Sequence, residues 1–380
     1  MLSPESYEAL KKQVYQRMQI DKKILDALRQ QVRPLRSKVR RIQPRSTTSL
    51  SLVATDGGYI RLRFDPFLIQ LVRVVDSSDN EYCLEIISPS ATIEEMTERQ
   101  FDSSGKPRTA LGEMMTCLGV RELPELSHMI RLDEHGNFTS PSWVQVYREL
   151  VEWAILLALI RKKDFGTDTL IIYNGLLRSK VFAGYLFIRY REALEEAVER
   201  QRVKNNRRIY VAGLAKYSKV LARYRLAMTL EKVLGCNYPC YVEVPRELEE
   251  ESYRWSEYAR GDDRVVEGSE GNRFVAGKMF FVKFGDRPTD QVWPVDILTS
   301  QIGDAPTILG YMLADALNGF PVPFYPLCLQ RAHEFAALVD FDADVLQDMV
   351  FEGLRSSLGS EGLALDAFRL QDGDPAGKRY

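Results

Sequence analysis

The sequence predicts an α/β protein with a mixed sheet. Four runs between residues 49 and 87 show the two-residue period of β-strands, and helical and strand patterns alternate from residue 142 onward. Of the 380 residues, 45% are hydrophobic and 10% are aromatic, which excludes a disordered chain. A chain of this length forms two or three domains, or one large α/β domain with insertions.

The first 45 residues form a basic arm. They carry twelve Lys and Arg against four acids, a balance of +8. Because the net charge of the whole chain is −2, the remaining 335 residues have a balance of −10. One interpretation of this asymmetry is that the arm binds a polyanion or the acidic surface of a partner. The other is that the arm is a helix face exposed to solvent.

The arm has a helical pattern. Pro34 should kink or split the helix, and Pro44 should end it. Two interpretations of its apolar stripe stay open: packing on the chain's own domain, or burial against a second protomer or partner while the charges stay outside. The stripe consists of Tyr7, Leu10, Val14 and Met18, and then of Leu25, Leu28, Val32, Leu35, Val39 and Ile42.

The strand runs after the arm predict an antiparallel meander. The runs 49–55 and 59–64 flank a glycine-rich turn and predict a hairpin, and two more strands follow at 67–75 and 81–87. Residues 91–141 predict a weakly helical insertion.

The second half alternates between helix and strand. Helices are predicted at 142–162, 177–202, 218–234, 306–317 and 328–339, strands at 169–173, 209–213, 278–284 and 292–297, a surface loop at 245–273 and a disordered tail after about 371.

Several classes of protein are excluded. The chain has no P-loop, dinucleotide-binding glycine motif, nucleophile elbow or His-Glu-x-x-His helix. Its longest apolar run, residues 153–160, is far shorter than the roughly 20 residues of a membrane span, and the N-terminus lacks the pattern of a signal peptide, so we expect a cytoplasmic protein. The five cysteines lack zinc-site spacing and are expected to be reduced thiols: Cys83, Cys117, Cys236, Cys240 and Cys328.

Asp56 is the first candidate site residue. It ends an apolar strand and precedes Gly57 and Gly58, which let the backbone turn sharply. It is either a turn-forming residue or a metal ligand, because hard divalent cations bind carboxylate oxygens. Two such ions about 4 Å apart can clamp a phosphoryl displacement, which requires several acids from different elements.

Glu149, Glu152 and His333 are further candidates. The two glutamates lie one turn apart on a helix, with Glu152 directly before its most apolar stretch. An acid beside the core is a functional candidate, although a salt bridge on the helix surface fits the same pattern. His333 lies on an apolar helix, as a core residue or as a site residue.

Five short motifs in order resemble the NurA-type nucleases. They are the Asp56-Gly57-Gly58 turn, the helix with Glu152, the strand that ends at Asn174-Gly175-Leu176, residues 211–219, and the block from Phe324-Tyr325-Pro326 to His333. The resemblance covers roughly residues 50–339 and includes the spacing between Tyr325 and His333.

This resemblance implies a fold and an activity. The implied fold is an RNase H-like α/β domain over residues 46–345, usually dimeric, with the basic arm at 1–45, an insertion at about 91–141 and a C-terminal helix and tail at 346–380. The implied activity is cleavage of DNA with Mn²⁺ or Mg²⁺, as 5′ to 3′ exonuclease and single-strand endonuclease, alongside the hexameric HerA translocase in DNA end resection.

The resemblance also implies roles for residues. Asp56 and Glu152 would bind the metal, with Glu149 as the alternative because the helix register is not fixed. Tyr325 and His333 would belong to the same site. The phosphate backbone of the DNA would lie along Lys216 and Lys219.

Asn174 departs from the family pattern, which has an aspartate there. An amide oxygen is a neutral and weaker ligand for a hard cation. Asp168 lies at the other end of the strand, about 20 Å away, and cannot replace it. The chain is then either an active nuclease, with Asp296 as a compensating acid, or a degenerate subunit that binds DNA or supports assembly.

Overall fold

A computed structural model describes most of the chain. The described residues are 3–46, 48–54, 62–64, 67–88, 90–140, 142–253, 272–337 and 340–359. The Asp56-Gly57-Gly58 turn, most of the 245–273 loop and the tail after 371 lie outside these residues.

The helices and strands alternate after an initial meander. The helices are α1 (Pro4–Val32), α2 (Ile93–Gln100), α3 (Ala110–Leu118), α4 (Leu123–Leu126), α5 (Trp143–Lys162), α6 (Leu186–Asn205), α7 (Lys219–Leu230), α8 (Arg246–Glu250), α9 (Ala305–Ala316), α10 (Leu327–Ala336) and α11 (Asp340–Leu358). The strands are β1 (Arg40–Arg41), β2 (Thr48–Ala54), β3 (Leu62–Phe64), β4 (Phe67–Asp76), β5 (Glu81–Ile87), β6 (Thr169–Asn174), β7 (Ile209–Leu214), β8 (Cys240–Glu243), β9 (Gly277–Lys283) and β10 (Val292–Leu298).

The strands form one mixed sheet in the order β1-β8-β9-β10-β7-β6-β2-β4-β3, with β5 also paired to β4. Its central part is β5-β4-β2-β6-β7, in which β5, β4 and β2 are antiparallel neighbours and β2, β6 and β7 run parallel. Three antiparallel strands followed by two parallel ones form the RNase H-like arrangement, so the predicted fold class is confirmed.

The predicted hairpin between the first two strand runs is wrong. Within the described residues of the two runs, both β2 and β3 pair with β4 and not with each other. The reason is the length of β4, which has ten residues. Its first residues pair with β3 through Phe64 and Phe67, and its last residues pair with β2 through Ala54 and Val74.

Helices cover both faces of the central strands. On β6, Ile171 and Tyr173 pack into a cluster with α3, α5 and α6, whereas Leu170 and Ile172 pack into a second cluster with α9 and α10. Burial on both faces explains why β6 is a continuous apolar run. The predicted insertion contains α2, α3 and α4, whose apolar side chains join the α5 cluster.

The segment before α6 is not helical, although the sequence pattern predicted a helix from residue 177. Its backbone instead forms hydrogen bonds with the residues directly before β9. The Ser179 N–H donates to the Phe274 carbonyl at 2.9 Å, and the Ala276 N–H donates to the Leu177 carbonyl at 2.8 Å. These bonds occupy groups that a helix would need internally. The helix therefore begins only at Leu186.

The apolar stripe of the arm packs on its own chain. Pro34 separates α1 from a short 3-10 helix, Arg33–Lys38, as predicted. Val32 and Leu35 are 0% and 1% exposed and share a cluster with Tyr224 of α7. The interpretation that Val32 and Leu35 are buried against a second protomer or partner is thus wrong. The first four stripe residues are exposed: Tyr7, Leu10, Val14 and Met18.

Two further expectations concern cysteines and membranes. All five cysteines are described and are free thiols. Among the helices that the structure describes, none is both long and apolar enough to cross a bilayer.

Leu35→Ala should test the packing of the arm. The side chain is 1% exposed, so its truncation should lower the free energy of unfolding by about 2–5 kcal/mol. Leu10→Ala is the control, because Leu10 is 45% exposed and should cost less than about 0.5 kcal/mol. Denaturant titration at two protein concentrations measures both. A loss for Leu35→Ala that depends on protein concentration would instead place the contact between subunits.

Candidate active site

The site lies at the edge where the parallel strands end. Leu52 of β2 pairs with Tyr173 of β6, which pairs with Gly213 of β7. The carboxyl ends of all three strands therefore meet at one edge, the usual position for ligands in such sheets. Asn174 is the last residue of β6 and is half-buried. Asp56 follows β2 by two residues and lies outside the described residues.

The two glutamates of α5 have different surroundings. Glu152 is 9% exposed and accepts a hydrogen bond from the Tyr173 hydroxyl at 2.9 Å, and its other oxygen lies 3.5 Å from the Arg148 Nε. Glu149 is half-buried and accepts a hydrogen bond from the Ser179 hydroxyl at 2.6 Å. Glu149 lines a cleft, whereas Glu152 is held between its neighbours.

Burial raises the pKa of Glu149, and the hydrogen bond from Ser179 only partly opposes this. The ionised carboxylate is thus in an unfavourable position in the folded chain. A cation that binds at the cleft would stabilise this charge.

The cleft beside Glu149, here called the Glu149 cleft, has a volume of about 390 Å³ and basic walls. Lys219 is the first residue of α7, and Ser218 caps this helix by accepting a hydrogen bond from the Leu221 N–H. The positive end of the helix adds to the charge of Lys219 and favours anions there. The lining residues that bear charge are Glu149, Arg178, Lys180 and Lys219.

A buried ion-pair network supports the wall of the Glu149 cleft. Arg178 donates two hydrogen bonds to Asp296, at 2.7 and 2.9 Å, and a third to Glu249, which also accepts from Arg246 at 3.0 Å. Asp296 is 0% exposed, and burial raises its pKa while Arg178 opposes the rise. Both carboxylate oxygens of Asp296 accept hydrogen bonds from Arg178. The prediction that Asp296 could replace the missing acid as a metal ligand is therefore wrong.

A second cleft, here called the Tyr325 cleft, has a volume of about 850 Å³. Tyr325 and His333 both line it, together with Lys216. His333 is exposed on α10, so its interpretation as a core residue is wrong. Tyr325 is 3% exposed, burial raises its pKa, and its hydroxyl has no hydrogen-bond partner among the described residues.

Five of the predicted site residues therefore divide between two neighbouring clefts. Glu149 and Lys219 line one, and Lys216, Tyr325 and His333 line the other. Within the described parts of the chain, no three His, Cys, Asp or Glu side chains come together as a metal site. The proposed metal ligands thus remain a prediction that depends on Asp56.

Asp168 lies at the opposite edge, as expected. It precedes β6 and accepts a hydrogen bond from the Arg208 N–H at 2.9 Å, beside the start of β7. It cannot replace an acid at Asn174.

The sequence pattern missed the residues that hold the Glu149 cleft together. The sequence pattern predicts a helix over residues 177–202 and so places Arg178, Ser179 and Lys180 in that helix. The signal that could have identified them is their position, because three polar residues in succession follow soon after the buried strand β6. Nothing in the sequence indicates that Glu249, 71 residues further on, is the partner of Arg178.

Comparisons with known proteins give a distant likeness. No family model matches the chain, and no curated protein matches it significantly. Among solved structures, the NurA nuclease from Sulfolobus solfataricus is similar at 12% identity and a TM-score of 0.46, over 94% of this chain and 99% of that chain. This likeness is too distant to assign a function, which must be inferred from the residues of the chain itself.

Glu149→Gln should change the pH dependence of stability. A folded-state pKa above the ordinary 4.5 means that the wild type loses stability as the pH rises from 4.5 through the raised pKa. The amide does not ionise, so the variant should lack this loss and be the more stable protein at about pH 8. Denaturant titrations across this pH window measure it, with Glu94→Gln on an exposed face of α2 as control. Parallel pH curves for wild type and Glu149→Gln would contradict the prediction.

Tyr325→Phe should leave stability unchanged or raise it, because the lost hydroxyl has no partner among the described residues. Tyr190→Phe is the matched control, since the buried Tyr190 hydroxyl donates to the Trp153 carbonyl at 2.8 Å. Its loss should cost about 1 kcal/mol. Thermal and denaturant unfolding compare the two. Equal destabilisation would show that the Tyr325 hydroxyl is bonded in the folded protein.

Proposed function

We propose that the chain is a DNA nuclease that depends on a divalent metal ion. The observation that carries the proposal is the convergence of three parallel strand ends beside Glu149, whose pKa is raised by burial, with lysines on the surrounding walls. Lysines around a half-buried acid suit a phosphodiester substrate and a cation together. The ordered sequence motifs support DNA as that substrate.

We propose Mn²⁺ or Mg²⁺ as the metal ion, because the candidate ligands are oxygen donors of the kind that these hard cations bind. Asp56 and Glu149 or Glu152 would supply carboxylate oxygens, and Asn174 a neutral amide oxygen. A bound metal supplies charge neutralisation at the phosphate and a more acidic water. Of the two glutamates, Glu149 is favoured here, because it lines a cleft whereas Glu152 is hydrogen-bonded by Tyr173.

The other side chains would bind and orient the DNA strand. Lys216 and Lys219 are exposed and would hold phosphates without regard to sequence. His333 is exposed at the Tyr325 cleft and would contact a phosphate oxygen. The Tyr325 hydroxyl, which has no partner in the described part of the chain, would donate a hydrogen bond to the bound strand.

We also propose partners, which only the sequence resemblance supports. The chain would act on single- and double-stranded DNA ends as a homodimer in the cytoplasm, with a HerA-like hexameric translocase. Cleavage would be of the 5′ to 3′ exonuclease and single-strand endonuclease type, as in DNA end processing.

Asn174 favours a second candidate function. A chain that lacks this acid could bind DNA or support assembly without cutting, because an amide holds a hard cation more weakly than a carboxylate. Asp296 cannot compensate, since it is bound to Arg178.

Metal-dependent cleavage separates the two candidates. Linear single- and double-stranded DNA should be cut with Mn²⁺ and not with chelator, and Asp56→Ala should lower the rate by at least about 100-fold. Glu94→Ala, an exposed acid on α2, is the control and should cut like the wild type.

The outcomes then decide between the candidates. If Asn174→Asp cuts and the wild type does not, the second candidate is supported. If the wild type cuts and Asp56→Ala does not, the second candidate is wrong. Absence of metal-dependent cleavage by both wild type and Asn174→Asp, alone and with the translocase, would contradict the nuclease proposal.

A further inference from the structure

The Tyr325 cleft has an apolar, aromatic wall. Phe320 is 79% exposed and Val322 is 45% exposed, and both line the cleft. Trp293 and Tyr325 lie deeper, with their ring centroids 4.8 Å apart. A volume of about 850 Å³ is within the roughly 300–1,000 Å³ of small-molecule sites. An exposed aromatic ring at the mouth of such a cleft is available for stacking.

Side-chain hydrogen bonds hold this wall in place. The amide of Gln330 donates to the carbonyls of Val322 at 2.9 Å and Tyr325 at 2.8 Å, and its oxygen accepts from the Val322 N–H at 2.8 Å. The Trp293 indole donates to the Phe324 carbonyl at 3.1 Å. The cleft is thus formed before a ligand arrives, which lowers the entropy cost of binding.

The polar groups of the cleft suit a nucleotide. Lys216 and Arg331 are exposed at the cleft, and neither forms an ion pair with a residue that the structure describes. The lining also contains one acidic side chain, Glu334, and the imidazole of His333, which can form a hydrogen bond with a ligand. The Tyr325 hydroxyl is buried in the lining and has no partner among the residues that the structure describes, so its donor is available to an acceptor on a ligand.

We propose that the Tyr325 cleft binds an unpaired nucleobase of a DNA strand. The base stacks on Phe320, and the flanking phosphates contact Lys216 and Arg331. Aromatic stacking with basic contacts to the backbone is the general mode of single-strand recognition. The proposal rests on the proposed function and specifies its substrate, because a base within a duplex is paired and cannot enter the cleft. The site therefore selects single strands and frayed ends.

Binding in the presence of chelator tests the proposal apart from cleavage. The probes are a short oligothymidylate, a strand of the same length with abasic sites, a blunt duplex and free thymidine monophosphate. Wild type should bind the oligothymidylate about tenfold more tightly than the abasic strand. Phe320→Ala should remove this difference, and Phe320→Trp should retain it. Leu226→Ala, an exposed apolar truncation on α7 that is 59% exposed, is the control and should bind like the wild type.

Each outcome has one meaning. Equal affinity for the abasic strand and the oligothymidylate, or no effect of Phe320→Ala, overturns the proposal even if the protein cuts DNA. Binding that depends on Phe320 without cleavage under any metal supports the proposal and contradicts the nuclease function. Tight, Phe320-dependent binding of the free mononucleotide, with an oligothymidylate no tighter than the abasic strand, overturns the strand as ligand and assigns the cleft to a free nucleotide.

Discussion

The buried guanidinium of Arg178 constrains the Glu149 cleft. Its side chain is 10% exposed and lies between Asp296 and Glu249, both 0% exposed. A buried charge is tolerated only while its partners remain, because removing one of them leaves an uncompensated ion. Asp296 is 118 residues away in the sequence and Glu249 is 71 residues away, so this one side chain fixes the loop after β6 against β10 and α8.

This arrangement requires very close packing of the backbone. A Cβ atom on Gly213 of β7 would lie 2.4 Å from the Gly175 carbonyl oxygen, and one on Gly277 of β9 would lie 3.1 Å from the Leu177 Cβ. Only glycine lets the loop lie directly on these strands. Once the loop is held there, Ser179 reaches Glu149 on α5 at 2.6 Å. The hydrogen bond that orients Glu149 thus depends on the Arg178 ion pairs, although Arg178 has no proposed role in cleavage.

The sequence predicts those parts of the fold that depend on local burial. β6, β7, β9 and β10 were predicted to within one residue at each end, because strands buried on both faces are continuous apolar runs. Non-local contacts decided the rest. Helical propensity after residue 177 gives way to hydrogen bonds with the chain before β9, and the length of β4 replaces the predicted hairpin.

The site was predicted in part for the same reason. The resemblance alone pointed to Lys216 and Lys219, and His333 was singled out by its place on an apolar helix and by the resemblance. The structure shows that all three line clefts, and their roles stay predictions. The difference between Glu149 and Glu152 was not predictable, because both lie on one helix, one turn apart. Which of them lines a cleft depends on Ser179 and Tyr173, which reach the helix from other elements.

The short segment after β7 connects the two clefts. Lys216 lines the Tyr325 cleft and Lys219 lines the Glu149 cleft, and three residue steps span at most about 11 Å. A single strand bound along this segment would be held by both lysines at once, so a base in one cleft would fix the position of a phosphate near the other. Base binding would then determine where the strand lies relative to Glu149. On this geometry, affinity for an unpaired base and the choice of phosphodiester would be properties of one continuous surface.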